Sequence, residues 1–182
     1  VASTVNELLL AKYMISNSNK KEEKLYILNK LMELFRATIY RQTMFAEFEK
    51  YMYEMVEEDE VLTAELLSKK YYELNKKYFG SNVVVDDEIQ YEWERIPHFY
   101  YNFYVYKYAT GLSCACKIVS NILDGKKDAV SNYINFLKCG RTKNPIDSLK
   151  VAGVDITKKD VVDSAIKMFD EIIDEFKELI QE

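Results

Sequence analysis

Histidine is the scarcest chemically active residue in this sequence, because the 182 residues contain only one, His98. One histidine excludes an HExxH motif, and any metal site with two histidine ligands, from being formed by this chain alone. Cysteine is also rare, with Cys114, Cys116 and Cys139 making an odd number. We therefore expect reduced thiols in a cytoplasmic protein rather than a disulfide framework.

Long apolar runs and excess positive charge are also lacking. No run approaches the roughly 18 residues that span a bilayer, so we expect no membrane association. The 25 Lys+Arg and 30 Asp+Glu residues give a net charge of −5. This mild acidity argues against a nucleic-acid partner.

Glycine and proline number only 5 and 2, so few positions interrupt helices. Apolar residues recur at helical spacing along most of the chain. The sequence therefore predicts an all-α fold with long helices, in one helical domain over residues 1–182. The predicted helices cover 5–16, 21–57, 63–79, 97–123, 129–137, 145–151 and 157–181.

An aromatic tract over residues 91–108 is the most distinctive segment, since half of its 18 positions are Phe, Tyr or Trp. Pro97 suits the first turn of a helix, which would place His98 and Tyr101 one turn apart on one face. Tyr108 would share that face, and Tyr104 would lie near it. A buried phenol needs a hydrogen-bond partner. The tract therefore indicates either a polar cavity or a tyrosine-rich core whose hydroxyls reach the surface.

Three blocks of the sequence resemble the oligoendopeptidase F family of zinc metallopeptidases, which are related to thimet oligopeptidase. The quoted segments are VASTVNE from Val1, IPHFY from Ile96 with FYVYKYATG from Phe103, and NP from Asn144 with LKVAGVDIT from Leu149. In that family, two histidines of HExxH and a downstream glutamate hold zinc. The family's EVASTxNE segment would place that glutamate just before Val1. The resemblance thus implies that this chain is the C-terminal helical part of a zincin-type oligopeptidase. The zinc ligands and the general base would lie upstream. This chain alone would therefore bind no metal and have no activity.

The same resemblance assigns candidate site residues. His98 and Tyr101 would donate hydrogen bonds to the substrate carbonyl and the developing oxyanion. Tyr104 and Tyr108 would either contact substrate or pack around the predicted helix that carries His98, at the wall of the substrate cleft. Glu7 would orient a zinc-bound histidine or serve as a helix-start carboxylate. Apart from the resemblance, Arg95 within the tract is expected to bind a peptide carboxylate or to form a structural salt bridge.

The expected function is hydrolysis of short peptides by the parent metallo-oligoendopeptidase. The expected partners are those peptides, the missing N-terminal part of the same protein, and a second copy bound through exposed apolar helix faces. A non-catalytic helical module for binding or oligomerisation is the alternative, because it would explain the same periodicities without zinc.

Overall fold

The computed structural model describes residues 1–181 and confirms the all-α prediction, with eight α-helices and no strand in that range. Within it, no helix has the length and apolar character needed to cross a membrane. The α-helices are α1 Ala2–Asn17, α2 Lys21–Phe35, α3 Arg41–Glu57, α4 Ala64–Phe79, α5 Tyr106–Leu123, α6 Ala129–Cys139, α7 Pro145–Val151 and α8 Asp160–Gln181.

Local sequence signals explain several helix ends. Thr63 caps α4 by accepting the N–H of Leu66 at 3.2 Å, and Gly80 ends that helix with a φ of 76°. Asn144 caps α7 by accepting the N–H of Asp147 at 2.9 Å, with Pro145 at the first helical position.

One predicted helix start needs correction, and one predicted helix contains a local irregularity. The stretch predicted as one helix over 21–57 is helical throughout, with a π-helical segment, Arg36–Tyr40, between α2 and α3. The last helix begins at Asp160 rather than near Thr157. The backbone N–H and the hydroxyl of Thr157 both donate to Asp155 Oδ1, at 3.2 and 2.7 Å, so this threonine closes a turn before the helix.

The described chain divides into two compact units, residues 1–36 with 110–181, and Ala37–Ala109. Compact units do not establish independent folding, so the single helical domain stays a prediction. In the first unit, α2 packs against α8, with the rings of Phe35 and Phe169 stacked at 5.1 Å. There, Cys114 and Cys116 are buried on α5.

The second unit has a core of aromatic and aliphatic side chains from α3, α4 and the aromatic tract. Phe48 and Tyr71 are fully buried there with their rings 5.1 Å apart, edge to face. Ile96 and Val105 enter the same core from the tract. This core positions the candidate site, because it fixes the inward-facing residues on either side of His98.

Candidate functional site

The aromatic tract is not the single helix that the sequence predicts. It forms two 3₁₀ helices, Asp87–Arg95 and Pro97–Tyr100, and α5 begins only at Tyr106. His98 and Tyr101 therefore do not lie one α-helical turn apart. Tyr101 instead follows the second 3₁₀ helix, and its N–H donates to the carbonyl of His98 at 3.1 Å.

A buried carboxylate explains part of the break before α5. Phe103 has a left-handed φ of 51°, and its N–H donates to Glu49 Oε1 on α3 at 2.6 Å. Glu49 is only 1% exposed, and burial raises the pKa of its carboxyl against the opposing effect of the Phe103 N–H. The ring of Phe103 lies 4.7 Å from that of Tyr53. These contacts hold the chain out of helical conformation between His98 and α5.

The 3₁₀ spacing decides which side chains face inward. A 3₁₀ helix has three residues per turn, so Ile96 and Phe99 lie on one side and His98 between them on another. Ile96 is buried, and Phe99 packs edge to face against Phe45 and Phe48 at 5.4 and 5.2 Å. His98 is left half-buried at the edge of the core.

The bends at residues 101–103 help to gather four of the predicted site residues of the tract. The ring of His98 lies 6.4 Å from Tyr101, 5.6 Å from Tyr104 and 6.0 Å from Tyr108. Tyr104 is also 5.9 Å from Tyr101 and 5.6 Å from Tyr108. We call these four residues the His/Tyr cluster.

Hydrogen bonding distinguishes the members of the His/Tyr cluster. Tyr108 Oη and His98 Nε2 share a hydrogen bond of 3.3 Å, whose donor depends on the histidine tautomer. A hydrogen bond with Tyr104, together with burial, raises the pKa of the Tyr108 hydroxyl. Tyr101 is 60% exposed, and no hydrogen bond ties its hydroxyl to another of residues 1–181. Its phenolic proton is therefore available to a ligand.

A cavity of about 370 Å³ adjoins the His/Tyr cluster. His98 and Tyr108 line it with Gln42, Phe45 and Pro97. Its volume lies within the roughly 300–1,000 Å³ range of small-ligand sites. It offers an imidazole and a phenol beside an apolar wall, and the side chain of Arg95 also lines it.

Sequence reasoning missed the carboxylate that anchors the first 3₁₀ helix. Glu92, whose side chain is 8% exposed, accepts hydrogen bonds from Arg41 Nη2 and Tyr71 Oη, both at 2.7 Å, and pairs with Arg95. Burial acts to raise the pKa of Glu92, but the Arg41 and Tyr71 hydrogen bonds outweigh it and hold the pKa below its usual value. Arg95 thus forms the salt bridge that was one of its two predicted roles. The three-residue spacing between Glu92 and Arg95 is a sequence signal for their ion pair. The hydrogen bonds of Glu92 with Arg41 and Tyr71 have no such signal, because those residues are distant in sequence.

Glu7 belongs to the first unit, where it is exposed on α1. Its orienting role toward a zinc-bound histidine stays a prediction. Among residues 1–181, no three His, Cys, Asp or Glu side chains are grouped so that they could hold a metal ion. The described residues therefore do not fit a zinc site by themselves.

Comparison with known proteins assigns the family. The model of peptidase family M3 matches residues 1–168. This chain belongs to peptidase family M3. Oligopeptidase PepF of Bacillus subtilis (strain 168) is 54% identical over 180 residues, which cover 99% of this chain and 27% of the relative. Chromosomal oligoendopeptidase F of Lactococcus lactis subsp. cremoris is 42% identical over 181 residues, covering 100% of this chain and 30% of the relative.

The fold of this M3 family chain also matches a solved structure. The crystal structure of oligoendopeptidase-F from Enterococcus faecium superposes with a TM-score of 0.94 at 42% identity, over 98% of this chain and 34% of that one. The resemblance to oligoendopeptidase F is thereby confirmed. The chain spans about a third or less of the length of these relatives.

Proposed function

We propose that this chain forms the substrate-facing helical part of a metallo-oligoendopeptidase that hydrolyses short peptides. The observation that carries the proposal is the His/Tyr cluster, which exposes hydrogen-bonding groups beside a cavity in a chain of peptidase family M3. Peptide hydrolysis requires donors at the carbonyl oxygen where negative charge develops.

Tyr101 is the donor in this proposal. Its hydroxyl is exposed and has no partner among residues 1–181, so no internal hydrogen bond must break before it binds a carbonyl oxygen. A donor already placed at the developing oxyanion lowers the barrier, and its loss typically costs roughly 10²–10³ in rate. His98, beside it, binds the same carbonyl or its neighbour.

Tyr108 acts on substrate mainly through His98. The hydrogen bond between their side chains fixes the imidazole ring, and Tyr104 holds Tyr108 in turn. If Tyr108 donates to Nε2, then Nδ1 carries the proton and can donate to substrate. Tyr104 adds its aromatic ring to the substrate-binding surface. The Nζ atom of Lys107 lies 5.0 Å from the centre of that ring.

The family resemblance implies zinc, which would supply Lewis-acid chemistry when bound. Because residues 1–181 contain no suitable ligand group, we propose that its ligands come from another part of a longer protein, with Glu7 supporting one of them. A cytoplasmic location belongs to the same proposal. The three cysteines form no disulfide, in keeping with a reducing compartment.

A chimera tests this function directly. The segment of Bacillus subtilis PepF that matches this chain is replaced by residues 1–182, and zinc content and cleavage of a fluorogenic peptide are measured. We expect zinc binding and cleavage. Tyr101→Phe should lower kcat by roughly 10²–10³, and His98→Ala should also lower it, while zinc content stays unchanged.

Tyr100→Phe is the matched control, because Tyr100 directly precedes Tyr101, is 82% exposed and lies outside the His/Tyr cluster. Its kcat should equal that of the parent chimera. Unchanged turnover in both Tyr101→Phe and His98→Ala would show that the cluster does not serve catalysis. An inactive chimera that binds zinc and unfolds cooperatively would contradict the proposed function itself.

The alternative of an oligomerisation module rests on a different surface. Leu10, Tyr13 and Met14 expose 58%, 66% and 46% of their surfaces on α1. Sedimentation of the 182-residue chain tests it. A stable dimer that Leu10→Ser and Tyr13→Ser dissociate would favour the module, whereas a monomer would remove its support.

A further inference from the structure

A second cavity in the Ala37–Ala109 unit lies between the end of α4, the loop after it and the first 3₁₀ helix. Its volume is about 630 Å³, within the range of small-ligand sites. Its walls are mainly apolar, with Phe79, Val83, Val84, Val85 and Ile89 among them. We call it the valine cavity.

The loop that forms one wall is held in place by specific contacts. Gly80 ends α4 in a left-handed conformation and turns the chain. The hydroxyl of Tyr72 then donates to Asp87 Oδ1 at 3.0 Å and lies 3.4 Å from the carbonyl oxygen of Val85. Val84 is nevertheless 90% exposed, so the wall presents apolar surface to solvent. Exposed apolar surface at the mouth of a cavity is typical of binding sites.

The charges at the valine cavity are predominantly negative. Asp86 and Glu88 line it and are exposed, and neither has an ion-pair partner within residues 1–181. Glu92 and Arg95 also line it, but they pair with each other. Two uncompensated carboxylates therefore remain beside an apolar wall.

The floor of the valine cavity contains an unsatisfied acceptor. Asn75 is fully buried, and its Nδ2 donates to the carbonyl of Tyr71 at 2.9 Å. Its Oδ1 has no hydrogen-bond partner among residues 1–181, although a buried unpaired acceptor costs free energy. Asn75 lines the valine cavity, so a ligand N–H donor is a chemically suitable partner for this acceptor. The carboxylates of Asp86 and Glu88 are exposed to such a ligand.

We propose that the valine cavity binds an apolar ligand that carries an ammonium group. The apolar body contacts the valines, and the ammonium lies near Asp86 and Glu88 with N–H donors directed toward the floor. Two sources share this chemistry, namely a free alkylamine and the α-amino end of an apolar peptide. The site does not depend on peptide hydrolysis, and the His/Tyr cluster is not part of it.

Titration of the 182-residue chain with n-hexylamine, followed by amide chemical shifts, tests the site. We expect saturable shifts at residues 83–89 with a Kd of about 1 mM, weaker binding of n-hexanol, and no saturation by hexanoate. Leucyl-leucine amide and its N-acetyl derivative separate the two sources. If only the free amino form binds at residues 83–89, the peptide end is also a ligand; if neither binds, the alkylamine is the source.

Charge-neutral variants identify the carboxylates. The double variant Asp86→Asn/Glu88→Gln should weaken n-hexylamine binding roughly 3- to 30-fold and leave n-hexanol binding unchanged. Glu58→Gln/Glu60→Gln makes the same charge change at exposed positions outside the cavity and should have no effect.

Three results would overturn the proposal. These are no saturation by n-hexylamine, equal weakening in both double variants, and equal binding of hexanoate and n-hexylamine. Sedimentation at the titration concentrations adds a fourth. A dimer that excludes n-hexylamine would show that a second copy of the chain fills the valine cavity.

Discussion

Replacing Glu92 by leucine should destabilise the Ala37–Ala109 unit more than replacement of other surface-proximal carboxylates. Glu92 accepts hydrogen bonds from Arg41 and from the fully buried Tyr71, and both distances are 2.7 Å. It thereby connects α3, α4 and the 3₁₀ helix that leads to His98. Leucine fills a similar volume but accepts no hydrogen bond.

The magnitude follows from the partners that are left unpaired. The Tyr71 hydroxyl has no other acceptor within residues 1–181 and costs about 1–3 kcal/mol when unpaired in the core. The charge-assisted bond from Arg41, whose side chain is 27% exposed, adds about 1.5–3 kcal/mol. Arg95 is 73% exposed, so its pair contributes at most about 1 kcal/mol. We expect Glu92→Leu to lower the free energy of unfolding by about 3–5 kcal/mol.

Urea unfolding, followed by far-UV circular dichroism, measures this loss of unfolding free energy near pH 7 and below about pH 4. The pKa of Glu92 is lowered in the folded state, so its contribution is present above the unfolded pKa and is lost as pH falls through the folded value. The difference between Glu92→Leu and the parent chain should therefore be full near pH 7 and shrink in acid, below about pH 4.

Matched variants make the Glu92 argument refutable. Glu94→Gln alters an exposed carboxylate in the same 3₁₀ helix and should change stability by less than about 0.5 kcal/mol. Combining Glu92→Leu with Tyr71→Phe should cost less than the sum of the single changes, because the unpaired hydroxyl is gone. A loss below about 1 kcal/mol for Glu92→Leu, or a loss that is the same at both pH values, would refute the reasoning.

Three further predictions concern other parts of the chain. Glu49→Gln keeps an acceptor for the Phe103 N–H and removes a buried carboxylate whose pKa is raised by burial. Because ionising that carboxylate destabilises the parent chain, the stability of the Glu49→Gln variant relative to the parent, measured by urea titration, should increase as pH rises from about 4 to 7. Glu49→Leu removes the acceptor and should lose about 1–3 kcal/mol. Asp128 has a φ of 62° and makes no side-chain cap, so Asp128→Gly should raise the thermal midpoint through a gain of about 0.5–1 kcal/mol. Ellman's reagent should label Cys139 in the native chain and the two buried cysteines of α5 only on unfolding, because burial raises their thiol pKa values to about 11 and 12.

The helices that the sequence predicts well are those with local start and stop signals. Thr63, Gly80 and the Asn144-Pro145 pair each act within one turn, so a single sequence is enough to locate them. Thr157 shows the limit of this approach. Its hydroxyl can satisfy a nearby turn as well as a helix N-terminus, and the acceptor offered by Asp155 decides between them.

The candidate site depends on contacts that sequence spacing does not contain. Helical periodicity would bring His98 and Tyr108 to one face only if the tract were a single helix. The structure brings them within hydrogen-bond distance by a different route, a 3₁₀ helix followed by a left-handed Phe103 whose N–H is bound by Glu49, 54 residues earlier. The predicted residues thus assemble although the predicted geometry is wrong. Since the assembly depends on Glu49 and Glu92, a test confined to the four aromatic side chains would miss the carboxylates that hold them in place.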